Sequence, residues 1–157
     1  MISSFRVLIR ILIVATGVLI AAPLMARAQA PCTLLNPLQI KAVVNTPVDS
    51  GRAGGSKDSP DCTWKDSQGQ DRAYLSLKSR DNFNVTRAQM QTTGRLTNVS
   101  GVGEDAFFVT SPAGSTAYLY AMGKHHLLLL TVNVPNASRQ DNEAAEKALA
   151  VEILPKL

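Results

Sequence analysis

Between Asp105 and Val134, three strand-forming runs follow one another with only turns between them. This stretch constrains the fold more than any other. Asp105–Thr110, Thr116–Met122 and His125–Val134 are rich in aromatic and branched residues, and Ser111-Pro112-Ala113-Gly114 and Gly123-Lys124 separate them. Connections this short join antiparallel neighbours, so the region reads as a three-strand meander. Successive side chains of a strand point to opposite faces. One parity holds Ala106, Phe108, Ala117, Leu119, Ala121, Leu128, Leu130 and Val132, and is the expected core face. The other holds Phe107, Val109, Tyr118, Tyr120, Leu127 and Leu129, and it too is apolar. A face open to water would be polar there. Either another part of the domain covers it, or Phe107, Tyr118, Tyr120, Leu127 and Leu129 form an interaction face. The two tyrosines suit an interface, where such side chains are enriched.

The preceding segments supply helices and a hairpin. Asn36 can cap a helix whose first position suits Pro37 and which runs from Leu38 to Val44. Asp49–Ser59, with Gly51, Gly54 and Gly55, reads as a loop with room for a short edge strand. Cys62–Lys65 and the alternating run Arg72–Arg80 flank the turn Asp66-Ser67-Gln68-Gly69 and form a hairpin. Asp81 or Asn82 can cap a second helix ending near Thr92 at Gly94. A last helix spans about Gln140 to Ile153, with Leu149, Ala150, Ile153 and Leu154 facing inward. Glu143–Lys147 and Glu152–Lys156 have the spacing of supportive pairs on its outside. The expected fold is α+β, a two-layer sandwich. One antiparallel sheet of about five or six strands packs with about three helices.

The N-terminus points to export. Arg6 and Arg10 precede an apolar stretch, Ile11–Ala22, and Ala26-Arg27-Ala28 has the small-x-small form of a cleavage site. Only 16 uncharged residues separate Arg10 from Arg27, fewer than the roughly 20 of a spanning helix. Residues 1–28 therefore read as a cleavable secretory signal, and residues 29–157 as a single exported domain, periplasmic or secreted, with no stable membrane anchor. Pro31 before Cys32 breaks the pattern of a lipidated cysteine. Three of the chain's 16 basic residues lie in the signal, which leaves 13 against 12 acids. That balance gives no basic face for nucleic acid.

The only cysteines, Cys32 and Cys62, lie in the exported part. In an oxidising compartment an even pair reads as a disulfide, the alternative being two buried thiols. Trp64 would pack on that bridge.

Three short motifs occur in sequence: Cys32-Thr33-Leu34-Leu35, then Cys62-Thr63-Trp64, then Gly101-Val102-Gly103-Glu104-Asp105-Ala106-Phe107. In this order they resemble the bacterial exported proteins grouped as DUF3558. The resemblance spans nearly the whole exported part. It implies a compact extracytoplasmic α+β domain in which Cys32 and Cys62 match the family's paired cysteines, and it brings no activity with it. Many members of that group carry a separate lipidated cysteine, which this chain lacks.

Candidate chemistry is sparse. Gly101-Val102-Gly103 precedes a strand, whereas phosphate cradling needs a helix, so a tight turn is expected. Glu104 and Asp105 are two acids where a calcium ion would want six to eight oxygens. His125 and His126 open a strand and point to opposite faces. These residues assign no catalytic, cofactor or metal role. The expected function is a non-enzymatic binding or interaction module, engaging a protein, a small molecule or a second copy of the chain in the envelope. The alternatives are a hydrolase-type enzyme whose site assembles only in three dimensions, or an inhibitor-type protein.

Overall fold

The computed structural model describes residues 30–93, 95–111, 114 and 116–157. The expected secretory signal lies outside the described residues, as do Gly94 and the middle of the Ser111–Gly114 turn. A short 3-10 turn, Pro31–Thr33, leads into α1, Pro37–Val44. The Asn36 side chain accepts from the Leu38 and Gln39 amides, and Gln39 accepts in return from the Asn36 amide, which fixes the start of the helix. Then come β1 (Arg52–Ser56), β2 (Ser59–Lys65), β3 (Asp71–Ser79), α2 (Asn82–Thr93), β4 (Arg95–Val99), β5 (Asp105–Thr110), β6 (Ala117–Met122), β7 (His126–Val132) and α3 (Arg139–Ile153).

The strands form one open antiparallel sheet in the order β1-β2-β3-β7-β6-β5-β4. The α+β class and the single sheet match the expectation; the strand number is seven, where about five or six were expected. β1 realises the short edge strand for which Asp49–Ser59 left room, and β4, at the other edge, is the strand not anticipated. The Gly-rich stretch pairs with β2 as β1 and turns back at Lys57-Asp58; Gly55, two residues before that turn, has a φ of 76° that suits glycine. Every residue of β1 is exposed, so it carries no apolar alternation. Gly51 just before it passes over the bridge and Trp64. A Cβ there would lie 2.4 Å from Cys62 Sγ and 2.7 Å from the Trp64 ring. The other edge, β4, pairs with β5 and buries little.

The helices do not share one layer. α1 and α3 pack on the face carrying Leu75, Phe108, Leu119, Leu128 and Leu130, all buried. α2 lies across the opposite face, where Phe83 joins Phe107, Val109, Tyr120 and Leu127. The two-layer expectation is corrected accordingly: the sheet is sandwiched, by two helices on one side and by one helix over part of the other. The assignment of strand parities to the two faces holds throughout the meander. Cys32 and Cys62 are bonded, with Cα atoms 5.1 Å apart, and tie the N-terminal turn to β2.

Candidate functional site

The sheet face beneath α2 is where the candidate interaction residues lie, and it is divided. Along it Asn98, Phe107, Tyr120, Leu129, Ser76 and Asp61 form one cross-strand row. The neighbouring row runs Leu96, Val109 and Tyr118, and on β7 and β3 Thr131 and Tyr74. α2 is anchored over the β4–β5 side. The Phe83 ring meets Phe107 edge-on at 5.3 Å, and Phe107 stacks on Tyr120 at 5.1 Å. The Arg87 guanidinium lies over Phe83 and Phe107 and binds Asp105 and Asn98, each at 2.6 Å. An aromatic stack capped by a paired cation resists separation from several directions at once.

This clamp decides which candidates reach solvent. Phe107 and Leu127 are fully buried and Tyr120 nearly so; of the two alternatives for this face, cover by the domain's own helix, α2, holds for these three, and they form no exposed interaction face. Leu129 is half-buried, while Tyr118 is 37% exposed. Where α2 ends, a hollow of about 320 Å³ opens between Met90, Thr93, Val109, Tyr118, Tyr120 and Leu129. The third tyrosine, Tyr74, stands two strands away on the same face, its hydroxyl 3.3 Å from Asp61 Oδ2. Burial raises the Tyr120 hydroxyl above its ordinary range, and the neighbouring Tyr118 and Tyr74 add to this. Tyr74 is raised too, first by burial. The Tyr120 and Tyr74 phenols therefore stay neutral, as donors, at ordinary pH. All three tyrosines of the chain thus face the side that α2 only partly covers.

The remaining candidates resolve into structural roles. Gly101 and Gly103 have φ of 77° and 61°, and a Cβ on Gly103 would meet the Met122 carbonyl at 2.4 Å, so the G-x-G is a tight turn. Glu104 and Asp105 separate. Glu104 takes both terminal nitrogens of Arg80, which also donates to the Gly123 and Lys124 carbonyls. The Arg80 hydrogen bonds hold the Glu104 carboxyl below its usual range, against a smaller opposing effect of burial. Asp105 goes to Arg87. Among the described residues, no group of three His, Cys, Asp or Glu is placed to hold a metal ion. No described helix is long and apolar enough to cross a membrane.

Two buried acids were not singled out by sequence. Asp66, in the β2–β3 turn, accepts from the Gln68 and Gln70 amides and from Arg72. Burial pushes its carboxyl up, but these donors together outweigh that and hold it low. Glu146 on α3 is wholly buried; Oε1 accepts from the Val132 amide at 2.9 Å, and Oε2 has no partner among the described residues. Burial, helped by nearby Glu143 and opposed by the Val132 amide, pushes it up to about 8. Its position marks it in the sequence: Glu146, Leu149, Ala150 and Ile153 share one helical face.

Compared with protein-family models, with curated proteins and with solved structures, the chain finds no significant match in any of the three.

Proposed function

We propose that this chain is an exported, non-enzymatic binding module of the DUF3558-like kind, acting in the periplasm or outside the cell, and that it holds its ligand at the Tyr118–Tyr120 hollow. The observation that carries the reading is the incomplete cover of an apolar sheet face: α2 seals Phe107 and Leu127 but leaves Tyr118 and a hollow of about 320 Å³ open. The hollow suits an apolar or aromatic group that bears a polar atom for the tyrosine hydroxyls to bind. The Cys32–Cys62 bond is compatible with export. The experiment is photo-crosslinking in the envelope of the native cell, with a photoreactive residue placed at Tyr118 or at Val85, which is 57% exposed on α2. A discrete adduct from position 118, absent from position 85, is the expected result. The same adducts from both positions would place binding elsewhere. Turnover of chromogenic ester, glycoside or phosphoester substrates by the purified protein would put the enzymatic reading ahead.

A further inference from the structure

A second cavity, of about 540 Å³, lies at the far end of the sheet. Four separate segments converge on it: Lys57 and Asp58 in the β1–β2 turn, Lys78 and Ser79 at the end of β3, Asn82 at the start of α2, and His125 and His126 at the start of β7. The charge of this lining is mostly basic, with Asp58 the one acid in it and Asp81 adjacent in sequence. Five cations of the fold are paired: Lys65 with Asp71, Arg72 with Asp66, Arg80 with Glu104, Arg87 with Asp105, and Arg139 with Glu143. Lys57 and Lys78 form no ion pair among the described residues. His126 Nδ1 is buried without a hydrogen-bond partner in the same set, a polar group whose cost the fold leaves uncompensated.

We propose that this cleft binds a small phosphate monoester. Lysine ammonium groups act on phosphate as mobile point charges, and histidine N–H and asparagine side-chain donors complete the shell of an oxyanion. The start of α2, a helix of 12 residues, adds the positive end of its dipole. The volume exceeds what bare phosphate needs and lies within the range of small-molecule sites, so the phosphate is carried on a small polar body. The rim is held in place: Arg80 bonds the Gly123 and Lys124 carbonyls and so fixes the turn that presents His125. The site is separate from the tyrosine hollow, and neither reading depends on the other.

The test is an NMR titration of the purified protein, following the His125 and His126 ring signals. The probes are inorganic phosphate, glycerol 3-phosphate, and phosphatidylcholine vesicles with and without phosphatidate, all at matched ionic strength. Saturable shifts with glycerol 3-phosphate are expected, weakened about tenfold or more in the Lys57→Gln/Lys78→Gln double variant. Lys41→Gln, on α1, should leave binding unchanged. Binding only to phosphatidate vesicles would keep the phosphate chemistry and make a lipid headgroup its source. Failure to saturate with any probe would overturn the proposal. So would equal shifts with acetate, or a double variant that stays folded and binds as the wild type does.

Discussion

Glu146 combines complete burial, one hydrogen bond to the Val132 amide and a carboxyl raised to about 8. The linkage follows from the direction of that shift. The unfolded chain ionises this group near its ordinary 4.5 and the folded one only near 8. Between those values the folded state binds the extra proton, so stability falls as pH rises through the window and is level above it. Glu146→Gln keeps an acceptor for Val132 and cannot ionise. It should therefore match wild type near pH 4 and exceed it at pH 9 by roughly 2–5 kcal/mol. Urea denaturation at the two pH values checks this; an equal difference at both would show that ionisation of Glu146 is not the cause. The sequence made other parts of α3 legible, with Leu149, Ala150 and Ile153 read correctly as its inner face. Glu146 was passed over although its spacing from Leu149, Ala150 and Ile153 marks the same face, because a glutamate in a charged helix resembles its solvated neighbours. The expected outer pairs also dissolve: Glu152 accepts from Gln39, Lys156 from the far end reaches the Leu34 carbonyl, and Glu143 takes Arg139. Arg139–Glu143 has helical spacing itself, but the partners of Glu152 and Lys156 lie 113 and 122 residues away and are invisible to a rule based on that spacing.

At the scale of elements, α2 is the part whose placement decides what the second sheet face can do. Its Phe83–Phe107–Tyr120 stack and Arg87 clamp close one side of the face and leave the Tyr118 side open. Phe83→Ala should cost about 3–5 kcal/mol, because it empties a buried aromatic site. Tyr118→Ser should cost about 0.5 kcal/mol or less, as a partly exposed residue at the margin of the packing. Chemical denaturation of both variants separates covered from open: similar large losses would mean that Tyr118 belongs to the core. Strand parity, and hence the two apolar faces, was legible because alternation in the meander is regular. The helix that covers the second face was not, since periodicity within α2 does not say which side of a sheet receives it. β1 was legible only as room for a short edge strand, and β4 escaped altogether, for a different reason. Both are edge strands with short, polar or glycine-rich sequences, and their pairing is made by backbone groups that leave no apolar pattern.

For the whole molecule, the Cys32–Cys62 bond joins the start of the described chain to the second strand of the sheet, closing a separation of 30 residues. Replacing both cysteines with serine should lower stability by roughly 2–4 kcal/mol, read as a shift of the denaturation midpoint. An unchanged midpoint would mean that the N-terminal turn is held without the bond. Among the described residues the sheet ends in two edge strands, one exposed and glycine-rich at β1, the other opening with Arg95 at β4. Shortness and charge there discourage edge-to-edge association, which turns attention from the edges to the tyrosine face as the surface for recognition.

A binding site centred on Tyr118, on the partly covered face, should take up a small apolar ligand. Fluorescence titration with the apolar anion 1-anilinonaphthalene-8-sulfonate tests it most directly, comparing wild type with Tyr118→Ser and Val85→Ser. Saturable binding at one site is expected, weakened about fivefold or more by Tyr118→Ser and unaffected by Val85→Ser. Absence of saturable binding, or equal affinity in all three proteins, would contradict it.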